Sequence, residues 1–283
     1  MNKRNYPRIN YPRILFAVFL GMIFLQEAFA IVPQRIVNEV YPIDETIASF
    51  TKVIDSQRLE GSALAELYRE RGVHYSKLGH YAESIADLSN AIKLNDNYVT
   101  AYISRANAYA KLEKYNEAYQ DFATAQRISP QNKTIYILRG SLSFLLGRFA
   151  DAVADYQYYL KLVPDDMYRM MWLHLSQSYQ DSSRATDLAK YTHGLNLDIW
   201  PGALIKLYLG QVGPKDFLDA FKKNIGSMKP DILCEGFYYL GQYLLLTGDR
   251  KLAADSFKQA VKTNARNTVE YQFALAYMAR LAQ

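Results

Sequence analysis

The sequence predicts an all-α protein: a solenoid of stacked helix–turn–helix units, with a lead-in helix before the units and a capping helix after them. Three observations carry that reading. Tyr68, Gly72, Tyr75, Gly79, Tyr81, Leu88 and Ala91 recur 34 residues later as Tyr102, Ala106, Tyr109, Glu113, Tyr115, Phe122 and Ala125. They recur once more as Tyr136, Gly140, Ser143, Gly147, Phe149, Tyr156 and Tyr159. Pro130 and Pro164, also 34 apart, close the second and third units. A period of this length marks helical repeat architectures, and one unit cannot bury its apolar face alone. Units must therefore stack.

Each element has its own reason. Residues 31–63 form the lead-in: Pro33 and Pro42 favour extended or turn geometry before them, and Ile47, Phe50 and Ile54 stand at helical spacing between Asp44 and Asp55. That apolar face lies outside the repeat register and needs a surface to cover, so Ile47, Phe50 and Ile54 are expected to contribute a dimer contact. Ser62 is a candidate N-cap for the first repeat helix. The clear repeats are 65–98, 99–132 and 133–166, each opening on Tyr-x-x-Arg followed by Gly or Ala, a small residue that lets two helices approach. Proline cannot sit inside a helix, so Pro130 and Pro164 mark the crossings to the next unit.

Beyond Pro164 the register degrades. Residues 167–233 read as degenerate helical units: an apolar helix from Met167 to Gln180, a short one near Ser183 to Tyr191, then roughly Ile199 to Leu209 and Pro214 to Lys223. The pattern returns in 234–283 with Phe237, Leu240, Gly241, Gly248, Ala253, Phe257 and Ala260, and a closing helix from Thr268 to Leu281 caps the stack.

Composition bounds the function. The 283 residues include 24 Tyr, 50% are hydrophobic, and the formal charge is +5. Four basic residues and one acid lie in residues 1–30, which leaves +2 for the rest. Without a Lys/Arg stripe on one face, nucleic acid is not an expected partner. Residues 1–30 read as a cleavable signal peptide: Lys3, Arg4, Arg8 and Arg13, an apolar run from Ile14 to Leu25, then Ala28-Phe29-Ala30, with cleavage after Ala30. The run is short for a bilayer span, which takes about 20 residues. A periplasmic location follows, and the lone Cys234, set in an apolar helix, suits an oxidising compartment as a core residue.

No catalytic, cofactor-binding or metal residues are expected. His74, His80, His174 and His193 have no i, i+4 partner and no Cys/His cluster, so His74 and His80 read as packing or surface residues. Nucleophile elbows and phosphate-cradling Gly loops are missing. Asp165 and Asp166, after Pro164, suit helix capping better than acid–base work.

The aromatic, small, aromatic, Gly, Ala, aromatic, Ala and Pro positions resemble tetratricopeptide repeats. More narrowly, the order of parts resembles the NlpI-like bacterial lipoproteins. The shared parts are an export signal, a lead-in helix, three repeats from Leu67-Tyr68-Arg69-Glu70-Arg71-Gly72-Val73, and Trp172-Leu173. Trp200…Leu207-Tyr208-Leu209-Gly210, Phe237-Tyr238-Tyr239-Leu240-Gly241 and Val269-Glu270-Tyr271 follow. Those proteins carry a lipidated cysteine after the signal; this chain has none there, so no lipid anchor is expected.

The resemblance implies a concave groove lined by the first helix of each unit. Its residues would be Arg69, Val73 and Lys77; then Ile103, Asn107 and Lys111; then Ile137, Ser141, Phe144 and Leu145. A clamp for a peptide's terminal carboxylate is incomplete, since Val73 stands where the first unit needs Asn and Thr134 where the third needs Lys. Ile103, Ile137, Phe144 and Leu145 would instead form an apolar seat, with Arg69, Lys77 and Lys111 steering an acidic rim. The alternative is that the lead-in helix fills this groove itself.

The resemblance further implies a homodimeric adaptor that brings a peptidoglycan endopeptidase to a periplasmic tail-specific protease, or otherwise scaffolds cell-wall hydrolases. The alternatives are a membrane-anchored assembly factor for pili or secretion machinery, with the leader retained, and an enzyme with its site in 167–233.

Overall fold

The computed structural model describes residues 45–181 and 188–281. The expected signal peptide, its cleavage site after Ala30 and the lead-in up to Asp44 lie outside them, as does the start of the helix expected near Ser183. The described residues are helical with no strand, and they form two compact units divided at Val163/Pro164.

The first unit holds α1 (Glu45–Asp55) and three helix pairs: α2 (Gly61–Lys77) with α3 (Tyr81–Leu94), α4 (Val99–Lys111) with α5 (Tyr115–Ile128), and α6 (Lys133–Leu145) with α7 (Phe149–Leu162). Pro130 and Pro164 fall in the crossings, as their missing N–H demands. Within each pair the turn passes through a left-handed residue at the same register: Gly79 (φ 83), Glu113 (φ 60) and Gly147 (φ 73). Leu88, Phe122 and Tyr156 of the second helices are fully buried, and an added Cβ on Gly72 would stand 3.0 Å from Leu88. That is why a small residue recurs there.

Two expectations about the lead-in change. Ile47 is 3% exposed and Ile54 9%, while Phe50 is half-buried with its ring 5.4 Å from His74. Of the expected dimer contact, Ile47 and Ile54 are thus buried within one chain, where α1 lies against α2, and Phe50 keeps part of its surface exposed. Ser62 is not a cap: the helix starts at Gly61, the N-cap is Glu60, and Ser62 falls in the first turn.

The second unit is built differently. Its helices are α8 (Met167–Gln180), α9 (Leu188–Tyr191), α10 (Gly202–Tyr208), α11 (Pro214–Lys223), α12 (Pro230–Thr247), α13 (Arg250–Lys262) and α14 (Val269–Leu281). Every residue from Met170 to Ser178 is buried, the polar His174, Ser176, Gln177 and Ser178 included, so the middle of α8 is enclosed although its sequence is not apolar all round. Trp172 lies 5.2 Å from Phe273 of α14 and 5.8 Å and 6.1 Å from Tyr238 and Tyr239 of α12. Aromatic rings prefer such edge and tilted contacts. A second cluster stacks Trp200, Phe217, Phe221 and Phe237, and Phe221 presses where Gly236 has no side chain. Asp166 caps α8 by accepting from the Arg169 N–H at 3.0 Å. Cys234 is fully buried beside Thr268, the small core residue expected.

Candidate functional site

The first helices α2, α4 and α6 carry the candidate binding face. What holds these helices in step is a clamp in each unit that pairs one arginine with one aspartate. Arg71 donates two hydrogen bonds to Asp87 (2.7 and 2.8 Å), Arg105 two to Asp121 (both 2.8 Å), and Arg139 binds Asp155 at 2.6 and 3.0 Å. All three aspartates are nearly buried, and bidentate guanidinium–carboxylate pairs are strong and geometrically specific. Each guanidinium also lies over the first tyrosine of its unit: Tyr68 at 5.7 Å, Tyr102 at 5.6 Å and Tyr136 at 5.7 Å.

The remaining guanidinium N–H reaches the preceding helix. Arg105 donates to Ser89 Oγ at 2.9 Å, Arg139 to Gln126 Oε1 at 2.8 Å, and Arg71 to Thr51 Oγ1 of α1 at 2.9 Å. The lead-in helix therefore stands where the second helix of an earlier unit would stand. Its contacts fall on Arg71 and His74, which are on another face of α2 from Arg69, Val73 and Lys77 at 100° per residue. The three arginines were legible in the sequence, but their partners were missed. Asp87, Asp121 and Asp155 also recur at 34, sixteen residues after each arginine, and that was the available signal.

On the candidate face, Lys77 and Lys111 are exposed at equivalent positions, and Val73, Asn107, Ile137, Ser141 and Leu145 are half-buried. Ser141 Oγ lies 3.1 Å from the Tyr156 hydroxyl. Three residues do not serve as expected. Ile103 is 6% exposed and packs with Ala106, Phe122 and Ile135. Phe144 is 3% exposed, with its ring edge-on to Phe149 at 5.4 Å. The apolar seat thus shrinks to Ile137 and Leu145, because burying Ile103 and Phe144 inside the stack removes more apolar area from water than the groove would.

Arg69 is already engaged: it donates to Tyr98 Oη at 2.8 Å, to Glu66 at 2.6 Å and to Glu70. The hydrogen bond to Glu66 is the main force holding its guanidinium above the usual range, with burial opposing. Two carboxylates offset its charge, so Arg69 is not the open cation the sequence suggests. Tyr98 also donates to Glu66, tying the first helix to the crossing before the second. Among the described residues, no group of His, Cys, Asp and Glu could hold a metal ion, and no helix is long and apolar enough to cross a membrane.

A family model described as tetratricopeptide repeat matches residues 69–133 and 105–167. A tetratricopeptide repeat protein from Parabacteroides merdae is similar with a TM-score of 0.56 and 15% identity, over 92% of this chain and 98% of that one. Cut9, solved in an APC/C hetero-tetramer with Hcn1, is similar with a TM-score of 0.51 and 13% identity, over 85% of this chain and 46% of that one. The first repeat domain of Spaghetti, solved with an HSP90 peptide, matches 42% of this chain and 98% of its own at 26% identity and a TM-score of 0.41. The helices have the tetratricopeptide-repeat fold, and residues 69–167 carry its repeats.

Proposed function

We propose that the chain is a non-catalytic adaptor of the bacterial cell envelope that holds other proteins on the face of α2, α4 and α6. The observation that supports this reading is Lys77 and Lys111. They stand at the same place on successive helices, both with exposed surface, although burial around the Lys111 ammonium pulls its pKa down, and they are flanked by half-buried Val73, Asn107, Ile137, Ser141 and Leu145. Three Arg–Asp clamps fix that face, so a partner meets side chains already ordered in space and little conformational entropy is lost on binding.

The resemblance to NlpI-like proteins extends the proposal to cell-wall hydrolases and a tail-specific protease as cargo, and to a homodimer exported by the leader. With Ile47 and Ile54 buried in their own chain, a dimer contact would use another surface. Affinity capture from envelope extract, comparing wild type with Lys77→Glu/Lys111→Glu, tests the face. Loss of the wild-type partners supports it, and equal recovery of every partner overturns it. Both lysines are exposed, so folding is expected to survive the exchange. Sequencing the exported protein tests the leader: a start at Ile31 supports periplasmic release, and an intact leader favours the anchored assembly factor.

A further inference from the structure

Glu270, the second residue of α14, is 8% exposed at the junction of α8, α12 and α14. Its one described side-chain hydrogen bond is long, from the Tyr239 hydroxyl at 3.5 Å. A second carboxyl, Glu235, lies one turn before Tyr239 on α12. It is far better served, accepting from the Tyr168 hydroxyl at 2.9 Å and from Trp200 Nε1 at 2.8 Å. Arg169 of α8 is the guanidinium that faces Glu270. Tyr208 of α10 lies by Tyr239, donating to its carbonyl at 2.7 Å, and Cys234 completes the surroundings from α12. The charged residues of α13, namely Arg250, Lys251, Asp255, Lys258 and Lys262, are exposed, and Arg280 stands at the far end of α14.

A buried carboxyl and a half-buried one in each other's field do not both ionise readily. Burial raises Glu235 as well, but its two short donors oppose that rise and favour its charged form, whereas Glu270, with a single long donor, favours the proton. We propose that Glu270 is a proton latch: α14 docks on α8, α12 and α13 with this carboxyl protonated, and the docking weakens when the proton leaves. Burial foremost, with the Glu235 charge adding, pushes Glu270 up to about 7, against the pull of the α14 backbone, Arg169 and Tyr239. In solvent the same carboxyl ionises at about 4.3. Docking is therefore strongest below that value, is lost progressively as pH rises to about 7, and changes no further above it. Loosening α14 uncovers the faces of Trp172 and Phe257 that Phe273 and Tyr277 now cover.

The test is amide hydrogen exchange of residues 268–281 in the full chain between pH 5 and 8, corrected for the intrinsic pH dependence of exchange. Wild-type protection should fall by up to about tenfold per pH unit from 5 to 7, then level off, and Glu270→Gln should be nearly flat. Glu235→Gln removes the like charge and should move the wild-type midpoint down. A carboxyl carbon-13 titration of Glu270 by NMR decides even if Glu270→Gln folds poorly. A midpoint near 7 supports the latch, whereas an ordinary midpoint, or equal pH dependence in wild type and Glu270→Gln, overturns it.

Discussion

Where the first unit places Arg71, Arg105 and Arg139, the second places Leu240; where the first places Asp87, Asp121 and Asp155, the second places Ser256. The backbone register is otherwise kept, with Gly241 matching Gly72 and Gly140, and Gly248 (φ 96) matching the left-handed turn at Gly79 and Gly147. One pair of substitutions separates two ways of stacking helices. A guanidinium fork is directional, so it sets the same spacing three times and ties each unit to the helix before it. An aromatic core is non-directional. It lets the helices before α12 shrink to four, seven and ten residues while Trp172 fills what they leave.

Six variants sharpen this contrast. Trp172→Ala removes the centre of the aromatic core and should cost about 4 kcal/mol, read as lost exchange protection across residues 164–281. Asp121→Ala leaves the Arg105 charge without its partner and should cost about 3 kcal/mol in denaturant melts. Arg105→Leu/Asp121→Ser, which copies the Leu240 and Ser256 of α12 and α13, should cost less than the single change; a larger cost would show that the fork cannot be exchanged for that pair. Thr51→Val removes one hydrogen bond to a charged donor and should cost about 1.5 kcal/mol, confined to α1 and α2. Glu113→Gly relieves a left-handed residue and should gain about 0.5 kcal/mol, while Gly147→Ala should lose about 1 kcal/mol.

The candidate face was only partly legible. Lys77 and Lys111 both present exposed surface where the resemblance placed them, but the structure partly buries the Lys111 ammonium, which pulls its pKa below the usual lysine range. Ile103 and Phe144 were misplaced because one helical face holds both groove and inter-unit contacts, and apolar residues near that boundary turn inward. Arg69 could not be judged alone: its neutralising partner Glu66 was in view, but Tyr98, which holds the pair, arrives from the next crossing.

By itself, the sequence determined the helices, the period of 34, the turns and the crossings, since these follow from local periodicity, glycine geometry and proline's missing N–H. Only the tertiary structure decided that α1 replaces a missing second helix, that each arginine finds an aspartate sixteen residues on, and that Glu270 is buried beside Glu235. Those outcomes depend on which side chains meet after distant segments pack, and pairwise electrostatics in a low-dielectric interior has no counterpart in a linear pattern.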